Sequence, residues 1–235
     1  MMQVRIMRLL LCLFCAMTFM GAAAQDETEY RMEVGAAAGG SFGLNDANSS
    51  FFGQPNVAGG ALLRFILNPR SAVKVNLNYN LTKGDTKNLK DFQPAVIGTA
   101  GAERLKYNFS GGIADLNVLY ELHFLPYGYK EGYLKHKRLV PYVQFGIGAS
   151  FSTVDNDFTP NIPIGFGLKY KLAERINLGF DWQMHFTISD KLDGLEAPQG
   201  IKSTGFKNKD HYHTAFITLT YSFAPKCATC NKDDW

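Results

Sequence analysis

Cysteine is scarce in this sequence, net charge is small, and after the first two dozen residues no long apolar run occurs. Each shortage excludes something. Four cysteines in 235 residues, two of them (Cys12 and Cys15) inside the N-terminal apolar stretch, cannot staple a disulfide-built fold. A formal net charge of +3, dispersed along the chain, gives no basic stripe for nucleic acid. The lack of a later apolar segment of about 20 residues excludes a bundle of membrane helices, and a mean hydropathy of -0.12 agrees. What the sequence does have is aromatic residues, 13% of the chain with 18 Phe and 11 Tyr, and 23 glycines.

The N-terminus reads as a secretory signal peptide over residues 1–24. Arg5 and Arg8 form a positive start, Leu9 to Met20 an apolar core, and Ala22-Ala23-Ala24 before Gln25 a small-residue cleavage site. The apolar run is short for a membrane anchor. Leu11 before Cys12 and Phe14 before Cys15 do not suit lipoprotein processing, which wants a small residue there. The expected mature chain has 235 − 24 = 211 residues and keeps two cysteines, Cys227 and Cys230.

That mature chain alternates apolar and polar residues with period two, the signature of strands. Val73, Val75, Leu77, Tyr79 and Leu81 share one face, and Lys74, Asn76, Asn78 and Asn80 the other. Eight such segments are expected, over 29–43, 56–67, 71–82, 103–124, 139–153, 161–172, 176–189 and 211–223. The fourth changes phase at Gly111-Gly112, which predicts a β-bulge there; a hairpin at the same place would give nine strands. Tight connections at 68–70 and 173–175 alternate with long polar ones at 44–55, 83–102 and 190–210. With eight strands both tight turns fall on one side, together with 125–138, as in bacterial barrels with short periplasmic turns and longer outer loops.

The expected fold is therefore all-β, an eight-stranded antiparallel transmembrane barrel of the bacterial outer membrane, OmpA-like in its up-and-down order, spanning 25–223 with a periplasmic tail at 224–235. Lipid is expected on the apolar face. Gly35, Gly60, Gly146, Gly148, Gly165, Gly167 and Gly179 all fall on the polar face, where a narrow interior needs small residues beside long ones. The alternative, a soluble lipocalin-like barrel, would turn its apolar face inward. The inward set predicts a charge network of Arg31, Glu33, Arg64, Glu121, Lys169 and Asp181, with Lys74, Arg104, Lys106, Lys171 and Asp115 beside it and a positive surplus. Buried charges must be matched, and such an interior argues against an open pore.

No constellation points to catalysis, a cofactor or a metal. His185 and Asp181 face the same way but lie about 13 Å apart along one strand, at a rise near 3.3 Å per residue. His211 and His213 share a strand face, a weak metal pattern. His123 reads as part of the interior network near Glu121. A rim enzyme acting on lipid stays a further alternative. The C-x-x-C of Cys227 and Cys230 can form a local disulfide, bond to a partner, or hold a metal or redox centre; a tail this short cannot supply the helix that a redox catalyst needs. The connection 125–138 carries Tyr127, Tyr129, Tyr133, Lys130, Lys135, Lys137 and Arg138. That mixture suits a periplasmic protein contact or membrane-surface anchoring.

Several stretches resemble the PorG-like outer-membrane barrels of the Bacteroidota, associated with type IX secretion and gliding. They are Pro141-Tyr142-Val143 with Gly146-Ile147-Gly148, the run Ile162 to Tyr170, Glu121-x-x-Phe124 before Tyr127, Asp190-Lys191-Leu192-Asp193 after the seventh strand, and the cysteine-containing tail. The Lys-rich segment 196–210 departs from that pattern. The resemblance implies a non-enzymatic barrel in the outer membrane that contacts a periplasmic lipoprotein or ring proteins of a secretion apparatus. The alternative is a stand-alone OmpA-like structural or adhesin-type barrel, acting through its outer loops or by stabilising the envelope; outer-membrane lipids are expected partners on either reading.

Overall fold

The structure is a computed structural model that describes residues 29–45, 48, 50–88, 103, 106–129, 136–195 and 209–225. Eight antiparallel strands form one closed barrel, each paired with its neighbours in sequence and the last with the first. They are β1 (Tyr30–Leu44), β2 (Asn56–Asn68), β3 (Ser71–Asp85), β4 (Asn108–His123), β5 (Leu139–Ser152), β6 (Asp157–Lys171), β7 (Ile176–Thr187) and β8 (His211–Pro225). No helix among the described residues is long and apolar enough to cross a membrane.

The pairing register fixes the barrel's shape. Met32 lies opposite Phe65, Phe65 opposite Val73, Val73 opposite Tyr120, and Tyr120 opposite Phe145. The path continues through Ile164, Met184 and His213 and re-enters β1 at Phe42. The return is displaced by 42 − 32 = 10 residues. A shear of ten over eight strands tilts them by roughly 40° to the barrel axis, given the usual strand spacing and rise. An even shear also keeps each side chain on one face all the way round.

The turns confirm the division of the two ends. β2 turns into β3 at Pro69–Arg70, where the Asn68 side chain accepts the Arg70 N–H at 2.8 Å, an Asx turn. β6 turns into β7 over 172–175, and the 124–138 connection joins β4 to β5 at the same end. The first and last strands also begin and finish there, so this is called the turn end and the opposite one the loop end. At the loop end β5 meets β6 in a tight turn over 153–156, with Asn156 at φ 51°, a conformation that Asn tolerates.

The bulge expected at Gly111-Gly112 does not exist. β4 runs against β3 in unbroken register from Asp85–Asn108 to Ser71–Leu122. The apolar pattern changes phase for another reason. Phe109 and Ile113 point inward, Phe109 stacking on Tyr107 and Ile113 meeting an apolar stopper at the loop end. The interior changes chemistry there while the backbone stays regular. Among the described residues the strand register shifts only between β2 and β3, at Ile66/Asn68, beside the tight turn.

Glycines on the inner face permit close approach. A Cβ on Gly146 would lie 2.0 Å from the Val118 carbonyl oxygen of the next strand, and one on Gly167 would lie 2.5 Å from the Tyr142 ring. The second vacancy is what lets Tyr142 lie across the barrel.

Candidate functional site

The outer wall is one surface of interest. Leu77, Leu116, Ile147, Ile164, Phe166, Ile217 and Leu219 all stand substantially exposed on it. Along the eight strands the outward positions carry no charged residue except Arg31 at the turn end of β1, and Lys83 and Asp85 at the loop end of β3. Two outward positions of β8 carry imidazoles, and these are covered or bonded. His213 has no exposed surface, lying under Phe51 and Phe52 of the β1–β2 loop. Its Nε2 meets the Phe51 carbonyl oxygen at 2.5 Å, and its Nδ1 accepts from the Trp182 indole N–H at 3.3 Å. His211 Nδ1 accepts the Thr187 N–H at 3.3 Å. No cluster of three or more potential metal-ligating His, Cys, Asp or Glu occurs among the described residues.

The interior holds a connected ion network in the half nearer the turn end. Arg64 donates to Glu33 at 2.6 Å and to Glu121 at 2.7 and 3.0 Å, the second a two-pronged contact. Lys74 lies 3.1 Å from both Glu121 and Asp181 and donates to Gln144 at 2.6 Å. Lys169 reaches Glu33 at 2.8 Å. His123 sits 3.5 Å from Glu121, and the Tyr142 hydroxyl donates to Asp181. Five of the six network residues named from sequence thus come together. The sixth does not: Arg31 is exposed at the turn end of β1, because Tyr30 instead takes the inward place there. Lys106 is exposed too, and Arg104 lies outside the described residues. The expected positive surplus is not seen among the described residues. Among the described residues the buried strand charges are Arg64, Lys74, Lys169 and Lys171 against Glu33, Asp115, Glu121 and Asp181, four of each sign.

Both mouths are stopped by the chain itself. At the turn end the Tyr127 ring lies 4.3 Å from Lys169 Nζ and 5.4 Å from Lys171 Nζ. Its hydroxyl donates to Asn177 at 2.8 Å, and burial holds the phenol well above its ordinary pKa range. Behind it remains a cavity of about 20 Å³, bounded by Tyr30, Glu33, His123, Lys169 and Lys171. At the loop end the segment after β7 folds over the opening. Leu192 packs with Ile113 and Tyr212. Its N–H is held at 2.9 Å by Asp210, and its carbonyl accepts from Ser152 at 3.0 Å. Gly194, at φ +79°, turns the chain beside Tyr107. The Asp190 to Asp193 motif therefore builds the stopper.

The residues expected to meet a periplasmic partner divide. Tyr127 is spent inside the mouth, so its ring is not offered outward. Tyr129 stacks under Arg138, whose guanidinium carbon lies 4.4 Å from the ring centre. Tyr133, Lys135, Cys227 and Cys230 lie outside the described residues. Arg31, Arg70, Lys137 and Arg175 stand exposed at this end, with Glu174 the exposed acid among them. Sequence reading missed three features: the Leu192 stopper, the loop folded over His213, and the crowd of amides round Asp115. Only the first had a signal, the phase change at Gly111.

The profile of a family described as a domain of unknown function (DUF6089) matches residues 7–232. No curated protein matches. Solved structures similar to the chain include the N-terminal β-barrel domain of Pseudomonas aeruginosa OprF, at 15% identity over 81% of this chain and 97% of that one, TM-score 0.41. Neisserial surface protein A is similar at 9% identity over 83% and 98%, TM-score 0.43. Ail, the attachment invasion locus protein of Yersinia pestis, is similar at 11% over 83% and 100%, TM-score 0.41.

Proposed function

We propose that this chain, which belongs to the DUF6089 family, spans the bacterial outer membrane with its turn end in the periplasm and serves there as a sealed anchor for a periplasmic partner. The observation that carries this reading is an outer wall of exposed apolar side chains, nearly free of charge, around an interior stopped at both mouths. A water-facing protein rarely sustains a patch larger than a few hundred Å², whereas lipid requires such a wall. A closed interior leaves the two ends as the places where function can reside.

Of the two, the turn end suits a protein contact better. It offers the Tyr129–Arg138 stack and the exposed Arg31, Arg70, Lys137 and Arg175, an aromatic and basic mixture that interfaces favour. The strand that leads into the Cys227 and Cys230 tail also finishes there. The likeness to the PorG-like barrels supports naming the partner as a lipoprotein or ring protein of a type IX-like secretion apparatus.

Photo-crosslinking side chains placed singly at Tyr129, Lys137 and Ile147 test the reading. The first two should capture a periplasmic protein in whole cells and the third only lipid. If Tyr129 and Lys137 also yield only lipid adducts, the stand-alone barrel is the better account. If a cysteine at Lys137 reacts with an impermeant maleimide on intact cells, the orientation itself is wrong.

A further inference from the structure

Asp115 differs from the other carboxylates of the interior. Glu33, Glu121 and Asp181 each touch a lysine or arginine at 3.1 Å or closer. Asp115 is 1% exposed and, among the described residues, touches no basic side chain. Its partners are neutral: Asn78 at 3.1 Å, Asn117 at 2.5 Å, Asn80, and the Tyr212 hydroxyl at 3.3 Å. The cation that balances it in the count of buried charges is Lys171, and that residue sits at the turn end against Ser222, Tyr30 and Tyr127. The negative charge near mid-barrel has no local counterpart, and buried charge without one is unfavourable.

A second observation concerns the same place. The side-chain oxygens of Asn80 and Asn117, both in contact with Asp115, are buried and meet no donor. The same holds for the oxygens of Asn76 on β3, and of Asn161, which joins Asp115 through Ser150 and Tyr212. Buried polar atoms are ordinarily partnered. Four carboxamide oxygens and an unbalanced carboxylate are all acceptors, and an unpartnered group nearby that can donate is the His185 ring stacked on Tyr212, so what this level of the interior needs is positive charge or further donors. A carboxamide turned by half a rotation exchanges its nitrogen and oxygen with little change of shape. Asn80 and Asn117 can thereby present oxygen to an ion held on Asp115.

We propose that Asp115, with the carboxamides of Asn80 and Asn117 and the Tyr212 hydroxyl, holds a hard monovalent cation of the sodium type inside the barrel. Oxygen-only donors suit hard cations rather than transition metals. One carboxylate among neutral ligands matches a single positive charge, whereas calcium sites gain affinity from ligand charge. The ion neutralises Asp115 where the protein's own lysines cannot reach.

The test refolds the full chain from urea into detergent at constant ionic strength, with chloride salts of sodium, potassium, calcium or choline. Thermal unfolding is followed by the shift in gel mobility between folded and unfolded forms. Sodium should raise the midpoint above that in choline. Above the dissociation constant, each tenfold rise in sodium should multiply the folded-to-unfolded ratio by about ten. Asp115→Asn should fold and lose this dependence. Asn117→Ala serves if that variant fails to fold, and should shift the response to higher sodium. Equal midpoints in sodium and choline would overturn the proposal and leave Asp115 to water or to a proton. A stronger response to calcium would overturn the monovalent assignment. A sodium response undiminished in Asp115→Asn would place the ion elsewhere.

Discussion

Arg64→Met removes the hub of the ion network while keeping an unbranched chain of similar length. Arg64 is 2% exposed and holds two carboxylates, Glu33 by one contact and Glu121 by two. Its loss changes the balance of buried strand charges from four against four to three against four. Removing one partner of a buried pair costs about 3–5 kcal/mol. The lower end applies, because Glu33 keeps Lys169 at 2.8 Å and Glu121 keeps Lys74 at 3.1 Å. The expected loss is therefore ~3 kcal/mol. Arg64→Lys should fall between, at roughly 1–2 kcal/mol, since one ammonium restores the charge but not the fork that spans both acids. The assay is equilibrium unfolding in urea from lipid vesicles, read by Trp182 fluorescence in a Trp235→Phe background and by gel mobility. A loss below about 1 kcal/mol for Arg64→Met would refute the reasoning, because it would mean that water already solvates these carboxylates.

Two further outcomes bear on the wall and on the packing. Leu77→Arg puts a charge on a half-exposed outward position near the middle of β3, and should cost ~2–4 kcal/mol in vesicles; Leu77→Phe in the same assay should be close to neutral, and equal effects would count against lipid on that face. Gly167→Val places a branched side chain where even a Cβ would come within 2.5 Å of both the Tyr142 ring carbon Cζ and its hydroxyl; it should displace Tyr142 and destabilise the barrel by about 1–3 kcal/mol, as overpacking does, and co-substitution of Tyr142→Phe should not restore it because the ring carbon remains in the way once the hydroxyl is gone.

The strand count, the antiparallel order and the facing of most side chains were legible because each rests on a period of two. Every residue from Val73 to Leu81 takes the face that alternation assigns. Strand ends were less legible. β3 continues to Asp85, and β6 begins at Asp157, through Pro160. Proline within a run argues against a strand, yet Pro160 points outward near the loop end, where its missing N–H is least needed. The Gly111-Gly112 reading failed in an instructive way. Two glycines at a change of phase fit a bulge equally well as an interior that turns from polar to apolar. Only the register of β4 against β3 separates the two.

The interior network was legible as a set but not as a set of pairs. Parity places Glu33, Arg64, Glu121, Lys169 and Asp181 inside without saying which will meet, because partners such as Arg64 and Glu121 stand 57 residues apart and on strands that are not neighbours. Contact across the lumen depends on shear, and shear depends on the summed registers of all eight strands. Arg31 shows the converse limit. It has the right parity, but at the first turn of the wall Tyr30 swings inward beneath Lys171 and Arg175, and alternation loses its force where the sheet begins. The same reasoning explains why Asp115 looked ordinary in sequence. Lysines two strands away could have reached it at another shear; at a shear of ten they pair nearer the turn end, and the amides of Asn78, Asn80 and Asn117 are what remain at its level.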